Sequence, residues 1–146
     1  MTHVNILTYI LDVNTLTYKT EIDMTVTGPD FLALQARDLE RAAAFYEMRL
    51  GLRRVPASPP GAVVFDTSPI SFAVREPLPG VDLDAASPRP GLGVALWLQA
   101  EDAQVVHDEL AAAGVPIVAA PDDGPFGRMF TFTDPDGYAI TIHDKA

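Results

Sequence analysis

Residues that could carry out chemistry are few in this chain of 146 residues. It contains no cysteine, which removes disulfides, thiolate metal sites and cysteine nucleophiles together. Its three histidines, His3, His107 and His143, are far apart in sequence, and we expect His107 to face solvent from the middle of a helix. No Gly-x-Ser-x-Gly elbow, phosphate-binding loop or Rossmann glycine pattern is present. The sequence therefore points to no nucleophilic or paired-carboxylate centre.

Four of the remaining polar and aromatic candidates, Phe31, Gln35, Trp97 and Gln99, lie in a repeated segment. Residues 31–38, FLALQARD, and residues 95–102, ALWLQAED, share five of eight positions at a constant offset of 64. Both segments alternate apolar with other residues and end in an aspartate suited to cap a helix, so each predicts a strand followed by a helix. The predicted helices each stop at a glycine, Leu39–Leu50 at Gly51 and about 103–113 at Gly114.

A second correspondence closes each half of the chain. Residues 66–76 and 134–144 each combine a turn with an alternating strand, and the second begins with the strong turn sequence Asp-Pro-Asp-Gly. Further strands are predicted at 52–55, 62–65, 116–119 and 129–133. The chain therefore predicts an α+β fold with two tandem βαβββ modules, residues 30–76 and 92–146, joined by a Pro-, Gly- and Asp-rich linker at 77–91.

Three sequence motifs within this order of predicted elements are similar to those of a known protein family. They are Asp-Leu-Glu-Arg-Ala-Ala-Ala-Phe-Tyr-Glu followed by Leu-Gly-Leu, then Ala-Ala-Gly-Val-Pro, and finally Gly-Arg-Met-Phe-Thr-Phe-Thr-Asp-Pro-Asp-Gly. With them, residues 30–144 resemble the vicinal oxygen chelate superfamily, which holds glyoxalase I, extradiol dioxygenases and the fosfomycin and bleomycin resistance proteins. The resemblance implies one domain over 24–146, with curved mixed sheets around a cup and helices on the outer face. It does not fix a function, because this fold hosts several chemistries.

The resemblance also implies where a metal would be held. Family enzymes place one ligand on the first strand and one on the last strand of each module, and the matching residues here are Phe31, Ala73, Ala95 and Thr141. Phenyl and methyl groups cannot ligate a divalent ion, and a neutral threonine hydroxyl is a poor ligand. A register shifted by one residue offers only Leu32, Val74, Leu96 and Ile142. We therefore expect neither a metal nor another cofactor.

Strand alternation predicts which side chains line the cup. The expected ligand-binding residues are Phe31, Gln35, Ser71, Arg75, Trp97, Gln99, Thr141 and His143. Trp97 is central and suits stacking on a planar molecule, or it fills the cup or packs at a subunit contact. Gln35 and Gln99 hydrogen-bond either a ligand or the local backbone. Arg75 meets an anionic or carbonyl group or pairs with a nearby acid, and a lone His143 favours a structural role.

Two functional classes stay open at this point. The resemblance to the metal-free drug-binding branch implies a protein that sequesters a hydrophobic, partly aromatic small molecule, such as an antibiotic, without altering it. The alternative is an enzyme of the same fold, a glyoxalase-like lyase or dioxygenase with displaced metal ligands or a metal-free catalyst using His143. An accessory domain is the third outcome. The resemblance further implies a homodimer in which a partner chain can complete the cup.

Charge limits the partners. The formal net charge of −10 argues against nucleic acid and against an anionic membrane surface. No apolar run approaches the roughly 20 residues that span a bilayer, and no secretory signal is visible. We expect a cytoplasmic protein.

The first 23 residues differ in composition from the rest. They contain no Ala, Pro, Gly or Arg, and Met24 begins a plausible start of its own. We expect residues 1–23 to be a leader, either added artificially or an unusual extension. Strand-forming residues at 4–11 and 15–26 flank a turn at 12–14. This predicts an appended hairpin or a strand added to a sheet edge, or else a segment lying in the protein's own groove.

Overall fold

A computed structural model describes residues 24–145 throughout and, before them, the backbone of four short strands. Strand β1 (Val4–Asn5) pairs antiparallel with β4 (Glu21–Ile22), and β2 (Tyr9–Asp12) pairs antiparallel with β3 (Thr15–Tyr18). Among the described residues these strands pair only with one another, as in the predicted hairpin. Residues 24–26, predicted to continue its second strand, have no regular structure, and two residues of the predicted turn lie outside the described residues.

The first module has the predicted order of elements. These are β5 (Phe31–Gln35), α1 (Leu39–Leu50), β6 (Arg53–Arg54), β7 (Ala62–Asp66) and β8 (Ser71–Arg75). The sheet order is β5-β8-β7-β6, in which β5 runs parallel to β8 and the other pairs are antiparallel. Helix α1 packs on β7 and β8, so one face of the sheet is covered.

The second module repeats this arrangement. Its elements are β9 (Leu96–Gln99), α2 (Ala103–Ala112), β10 (Ile117–Gly124), β11 (Gly127–Thr133) and β12 (Ala139–His143), with sheet order β10-β11-β12-β9. Strand β9 is parallel to β12, and α2 packs on β10 and β11. Equivalent pairs stand in equivalent register, Gln35 opposite Arg75 and Gln99 opposite His143. The predicted α+β fold with tandem βαβββ modules is confirmed, and the two four-stranded mixed sheets do not close on each other.

Local capping explains the helix boundaries. The Asp38 carboxylate accepts a hydrogen bond from the Arg41 N–H at 3.0 Å, and Gly51 ends α1 in the left-handed conformation at φ 70°. Asp102 caps α2 in the same way. Helix α2 ends one residue earlier than predicted, and Ala113, the last residue of the predicted helix, is exposed at its C-cap. Neither helix in the described part of the chain is long and apolar enough to cross a membrane.

Four further details differ from the sequence prediction. Strand β9 begins one residue after Ala95, and β10 extends well beyond residue 119 to Gly124. The linker contains a short 3₁₀ helix, Leu83–Ala85, whose Leu83 is buried. His107 does not face solvent freely: its side chain is only 20% exposed, and its ring meets Phe130 edge-on at 5.2 Å.

One hydrophobic core joins the two modules. Both helices and both sheets contribute buried side chains to a single cluster, including Ala42, Ala43, Tyr46, Phe65, Phe72, Val74, Leu110, Phe130, Phe132, Ile140 and Ile142. Phe72, Val74, Ile140 and Ile142, which alternation predicts to face inward, belong to it, whereas Ile70, predicted with them, lies before β8 and is only partly buried outside the cluster. A shared core means that the two modules fold as one unit.

Hydrogen bonds from the Asp-Pro-Asp-Gly turn reinforce that unit. The buried Tyr46 hydroxyl of the first module donates to the Asp134 carboxylate at 2.6 Å. Asp136 accepts from the backbone N–H of Arg37 at 2.8 Å, and the Tyr138 hydroxyl donates to the Gln35 carbonyl at 2.9 Å. Burial raises the pKa of Asp134, and the Tyr46 hydrogen bond opposes that rise. The turn thus connects the closing strand of one module to the other module.

Candidate functional site

Trp97 lies at the centre of an exposed aromatic group. It occupies the face of β9 opposite Leu96 and Leu98, and 42% of its surface is exposed. The Phe126 ring meets it edge-on with centroids 5.6 Å apart, and the His143 ring lies 5.7 Å away. Phe126 and His143 are themselves 6.3 Å apart. We call these three residues the aromatic trio. A folded protein gains nothing from leaving a large aromatic side chain this exposed, so the trio is a candidate contact surface.

A groove of about 340 Å³ adjoins the aromatic trio. It is lined by both edge strands β5 and β9, by the turn at 67–70 and by parts of β8 and β12; the side chains are Leu32, Leu52, Thr67, Ser68, Pro69, Ile70, Phe72, Leu96, Trp97, Leu98, Gln99 and His143. The volume lies within the range of small-molecule sites, and mostly apolar walls with a few polar groups are typical of them. The groove therefore suits a partly aromatic organic molecule.

The β10–β11 hairpin carries Phe126 onto Trp97. Gly124 pairs with Gly127, so Pro125 and Phe126 form the two-residue loop. Gly127 has a φ of 82°, and an added Cβ would collide with the Asp144 carboxylate and lie 3.0 Å from the Lys145 backbone nitrogen. The Lys145 N–H donates to the Phe126 carbonyl at 3.1 Å. Close packing of the hairpin tip against residues 144–145 thus holds Phe126 beside the groove.

Arg128, the residue after Gly127, is occupied by protein partners. Its guanidinium donates to both carboxylate oxygens of Asp123 at 3.0 Å and to the Gln104 side chain at 2.8 Å. This pairing raises the pKa of Arg128 and lowers that of Asp123. Arg128 therefore stiffens the hairpin behind Phe126.

The structure brings three of the eight predicted site residues into the groove. Trp97, Gln99 and His143 line it together. His143 is partly tethered, with its Nδ1 3.1 Å from the Lys145 carbonyl oxygen. Thr141 lies opposite Trp97 in the sheet but outside the groove, with its hydroxyl 2.8 Å from that of Thr131.

The four predicted residues of the first module lie elsewhere. Phe31 is 53% exposed at the start of β5, and Ser71, its partner in register, is exposed as well. The Gln35 side chain accepts a hydrogen bond from the backbone N–H of Leu78 at 2.7 Å, so it holds the linker. The Arg75 guanidinium donates to the Glu76 carbonyl at 3.1 Å. None of these four side chains lines the groove beside Trp97.

Sequence reasoning missed the apolar wall of this groove. Strand alternation places Leu32, Phe72, Leu96 and Leu98 on the face toward the helices, so it predicts core positions for them. They still belong to the helix-facing side, but the groove opens at the free edges of β5 and β9, where both faces of a strand are reached. The first strand of each module pairs only with the last strand of that module, so its other edge is unpaired. That position in the sheet was the signal that could have indicated a groove there.

The donor set does not fit the metal that the fold family implies. The four positions where the family places ligands carry Phe31, Ala73, Ala95 and Thr141, of which only threonine has a side-chain oxygen. That hydroxyl already contacts Thr131. Among the described residues, no group of three or more His, Cys, Asp or Glu side chains is arranged to hold an ion. We derive no chemical step through a metal.

Two tandem βαβββ modules with a groove at the free edges of their first strands define a recognisable class of protein. A family model described as the Glyoxalase/Bleomycin resistance protein/Dioxygenase superfamily matches residues 28–142. The chain therefore belongs to this superfamily. No curated protein matches the chain.

Solved structures with the same fold have varied descriptions. TnmS3, an antibiotic binding protein from Streptomyces sp. CB03234, is 22% identical with a TM-score of 0.65, and the match covers 84% of this chain and 99% of that one. A bleomycin resistance determinant encoded on the transposon Tn5 is 23% identical with a TM-score of 0.58, covering 82% and 98%. A lactoylglutathione lyase from Agrobacterium tumefaciens is 23% identical with a TM-score of 0.59, covering 81% and 93%. At this identity the likeness concerns the fold alone.

Proposed function

We propose that the protein binds a hydrophobic, partly aromatic small molecule, such as an antibiotic, and sequesters it unchanged. The observation that carries the proposal is the aromatic trio at the edge of an open, largely apolar groove. A planar ligand stacked on Trp97 gains stacking energy of about 0.5–1.5 kcal/mol beyond the burial of its surface. The Gln99 amide and the His143 ring supply polar groups that orient such a ligand at the groove wall.

Sequestration without chemistry is favoured by what surrounds the groove. The family's ligand positions carry no adequate donor set, and among the described residues the only titratable side chain lining the groove is His143. A lone imidazole whose Nδ1 lies 3.1 Å from a backbone carbonyl oxygen lacks a second catalytic group to work with. The description of TnmS3 as an antibiotic binding protein agrees with a binding role. The lactoylglutathione lyase shows that the same fold also serves enzymes.

A homodimer is part of the proposal. Phe31 and Trp97 are both about half exposed on the faces of the sheets that the helices leave uncovered. A second copy packed there would enclose a ligand more fully than one chain does. Light scattering after gel filtration tests this: a mass near twice 15.7 kDa is expected, and a monomeric mass at all concentrations would contradict it. The cytoplasmic location stays a prediction.

Binding is tested by calorimetric titration of the full chain with bleomycin, an anthracycline and a tetracycline. The exposed 42% of Trp97 corresponds to about 100 Å² of a side chain of up to about 250 Å². Covering that area contributes roughly 2.5 kcal/mol at about 25 cal/mol per Å². We therefore expect Trp97→Ala to weaken binding at least about tenfold.

The matched control is Val105→Ala. Val105 is 51% exposed on α2 and lines no described groove, so its truncation should leave the affinity unchanged. Equal affinities for wild type and Trp97→Ala would remove the aromatic trio from the site. Mass spectrometry of the recovered compound separates the alternative, because a changed mass would identify an enzyme.

A further inference from the structure

A second concavity lies on the helix side of the fold. It measures about 450 Å³, more than the 340 Å³ groove beside Trp97, and shares no residue with it. Helix α1 forms one wall, and the end of α2 with the residues that follow it forms the other, together with part of the Asp-Pro-Asp-Gly turn. We call it the interhelical cavity. The proposed binding of an aromatic molecule at Trp97 makes no use of it.

Two arginines that form no ion pair within residues 24–145 line the interhelical cavity. Arg41 and Arg49 both contribute to its wall. Ion pairs occupy Arg37, Arg53, Arg54 and Arg128, whereas among residues 24–145 no acidic side chain pairs with Arg41 or Arg49. Unpaired guanidinium groups are notable in a chain with a net charge of −10. They leave a local site of positive charge.

The spacing of the arginines fits an elongated ligand. Arg41, Phe45 and Arg49 follow one another at four-residue intervals on α1, which places them along one side of the helix. The two arginine Cα atoms are therefore about 12 Å apart along the axis. Phe45 lies between them, and Met48 beside it is 73% exposed. The helix thus presents an apolar strip with a cation at each end.

Negative groups at the cavity are already satisfied. Among the described residues Asp134 is the only acidic one in its lining, and it accepts hydrogen bonds from Tyr46 on one oxygen and from the N–H groups of Asp136 and Tyr138 on the other. Ala113 and Gly114, which follow α2, also line the cavity. The helix carbonyls at 109–111 accept hydrogen bonds from the N–H groups of residues 113–115. Asp134 therefore adds little uncompensated negative charge beside Arg41, whereas Glu109 lines two neighbouring concavities together with Arg49.

We propose that the interhelical cavity binds an amphipathic monoanion, a carboxylate with a medium-length apolar chain. The carboxylate pairs with Arg41 or Arg49, because guanidinium groups bind carboxylates in a bidentate manner. The apolar chain lies against Phe45, Met48 and Val115, which removes an exposed methionine from water. A cavity of this size has the volume of a typical small-molecule site.

Calorimetric titration of the full chain with sodium dodecanoate tests the proposal. Saturable binding to one site per chain is expected, with weaker binding of the uncharged dodecanol and none of acetate. Replacing both arginines, Arg41→Gln with Arg49→Gln, should reduce the affinity for dodecanoate about tenfold or more. Added salt should reduce the wild-type affinity, because part of the binding is between exposed charges.

Two control variants separate this site from other sources of binding. Arg53→Gln removes an arginine that is 84% exposed and paired with Asp66 outside the cavity, and it should bind dodecanoate like the wild type. Trp97→Ala should also leave dodecanoate binding unchanged, even if it abolishes binding of aromatic compounds. Circular dichroism confirms that each variant is folded. Absence of saturable binding, equal affinity in the double arginine variant, or loss of binding in Trp97→Ala would each overturn the proposal.

Discussion

Tyr46→Phe is the substitution with the most direct structural consequence. It removes a fully buried hydroxyl that donates to Asp134 at 2.6 Å, while the ring keeps its packing against Phe72 at 5.0 Å and against Phe65. One oxygen of a carboxylate that is only 6% exposed then loses its hydrogen bond inside the protein. Leaving a buried acceptor unsatisfied costs about 1–3 kcal/mol, more when it is charged. We expect the free energy of unfolding to fall by about 2–3 kcal/mol at neutral pH.

This loss should depend on pH. Burial raises the pKa of Asp134 in the folded protein above its usual value of 3.8, and the Tyr46 hydrogen bond limits that rise. The variant lacks this limit, so the pKa of its Asp134 is higher still. Because the carboxyl pKa is higher in the folded state than in the unfolded state, the free energy of unfolding falls as the pH rises from the unfolded-state pKa to the folded-state pKa. The fall is larger for the variant, whose folded-state pKa is higher. The difference between the two proteins is therefore largest at neutral pH and shrinks in mild acid.

Urea unfolding followed by circular dichroism measures both effects. Tyr138→Phe is the matched control, because its hydroxyl donates to a neutral carbonyl, that of Gln35, at 2.9 Å. The control should cost about 0.5–1.5 kcal/mol with little pH dependence. The reasoning is wrong if Tyr46→Phe lowers the free energy of unfolding no more than Tyr138→Phe does. It is also wrong if the loss caused by Tyr46→Phe is the same at neutral pH and in mild acid.

The remaining predictions concern the hairpin and the helix caps. Gly127→Ala forces a side chain at φ 82° into Asp144 and the Lys145 backbone, so we expect a lower melting temperature and weaker binding of the aromatic ligand by titration. Gly51→Ala, at φ 70° with open space around it, should cost about 1–2 kcal/mol in urea unfolding and leave ligand affinity unchanged. Asp38→Ala removes the α1 N-cap and should cost about 1 kcal/mol, and a cost indistinguishable from zero would contradict the capping role.

Local signals made the helices and the repeat predictable from sequence. The bounds of α1 follow from Asp38 and Gly51, which act on backbone groups within a few residues of themselves. The two correspondences between the modules predicted equivalent strands, and the ladders pair Gln35 with Arg75 and Gln99 with His143 accordingly. These features depend on neighbouring residues or on internal comparison, so a single sequence contains them.

Features that depend on distant contacts were not predictable in the same way. Asp134 looks like an ordinary turn residue, yet its partner Tyr46 is 88 residues away. Gln35 matches Gln99 in the repeat, but the linker occupies only Gln35, through Leu78. Phe126 meets Trp97 because β10 continues to Gly124, a length that the pattern at 116–119 did not indicate. Each outcome is decided by tertiary packing.

Binding by metal-stripped protein tests the central claim most directly. The chain is dialysed against a chelator, its metal content is checked by elemental analysis, and it is then titrated with the aromatic antibiotic that binds best. The proposed function predicts saturable binding of unchanged affinity and recovery of the compound at its original mass. Binding that appears only after a divalent metal is restored, or a bound compound whose mass has changed, would contradict it.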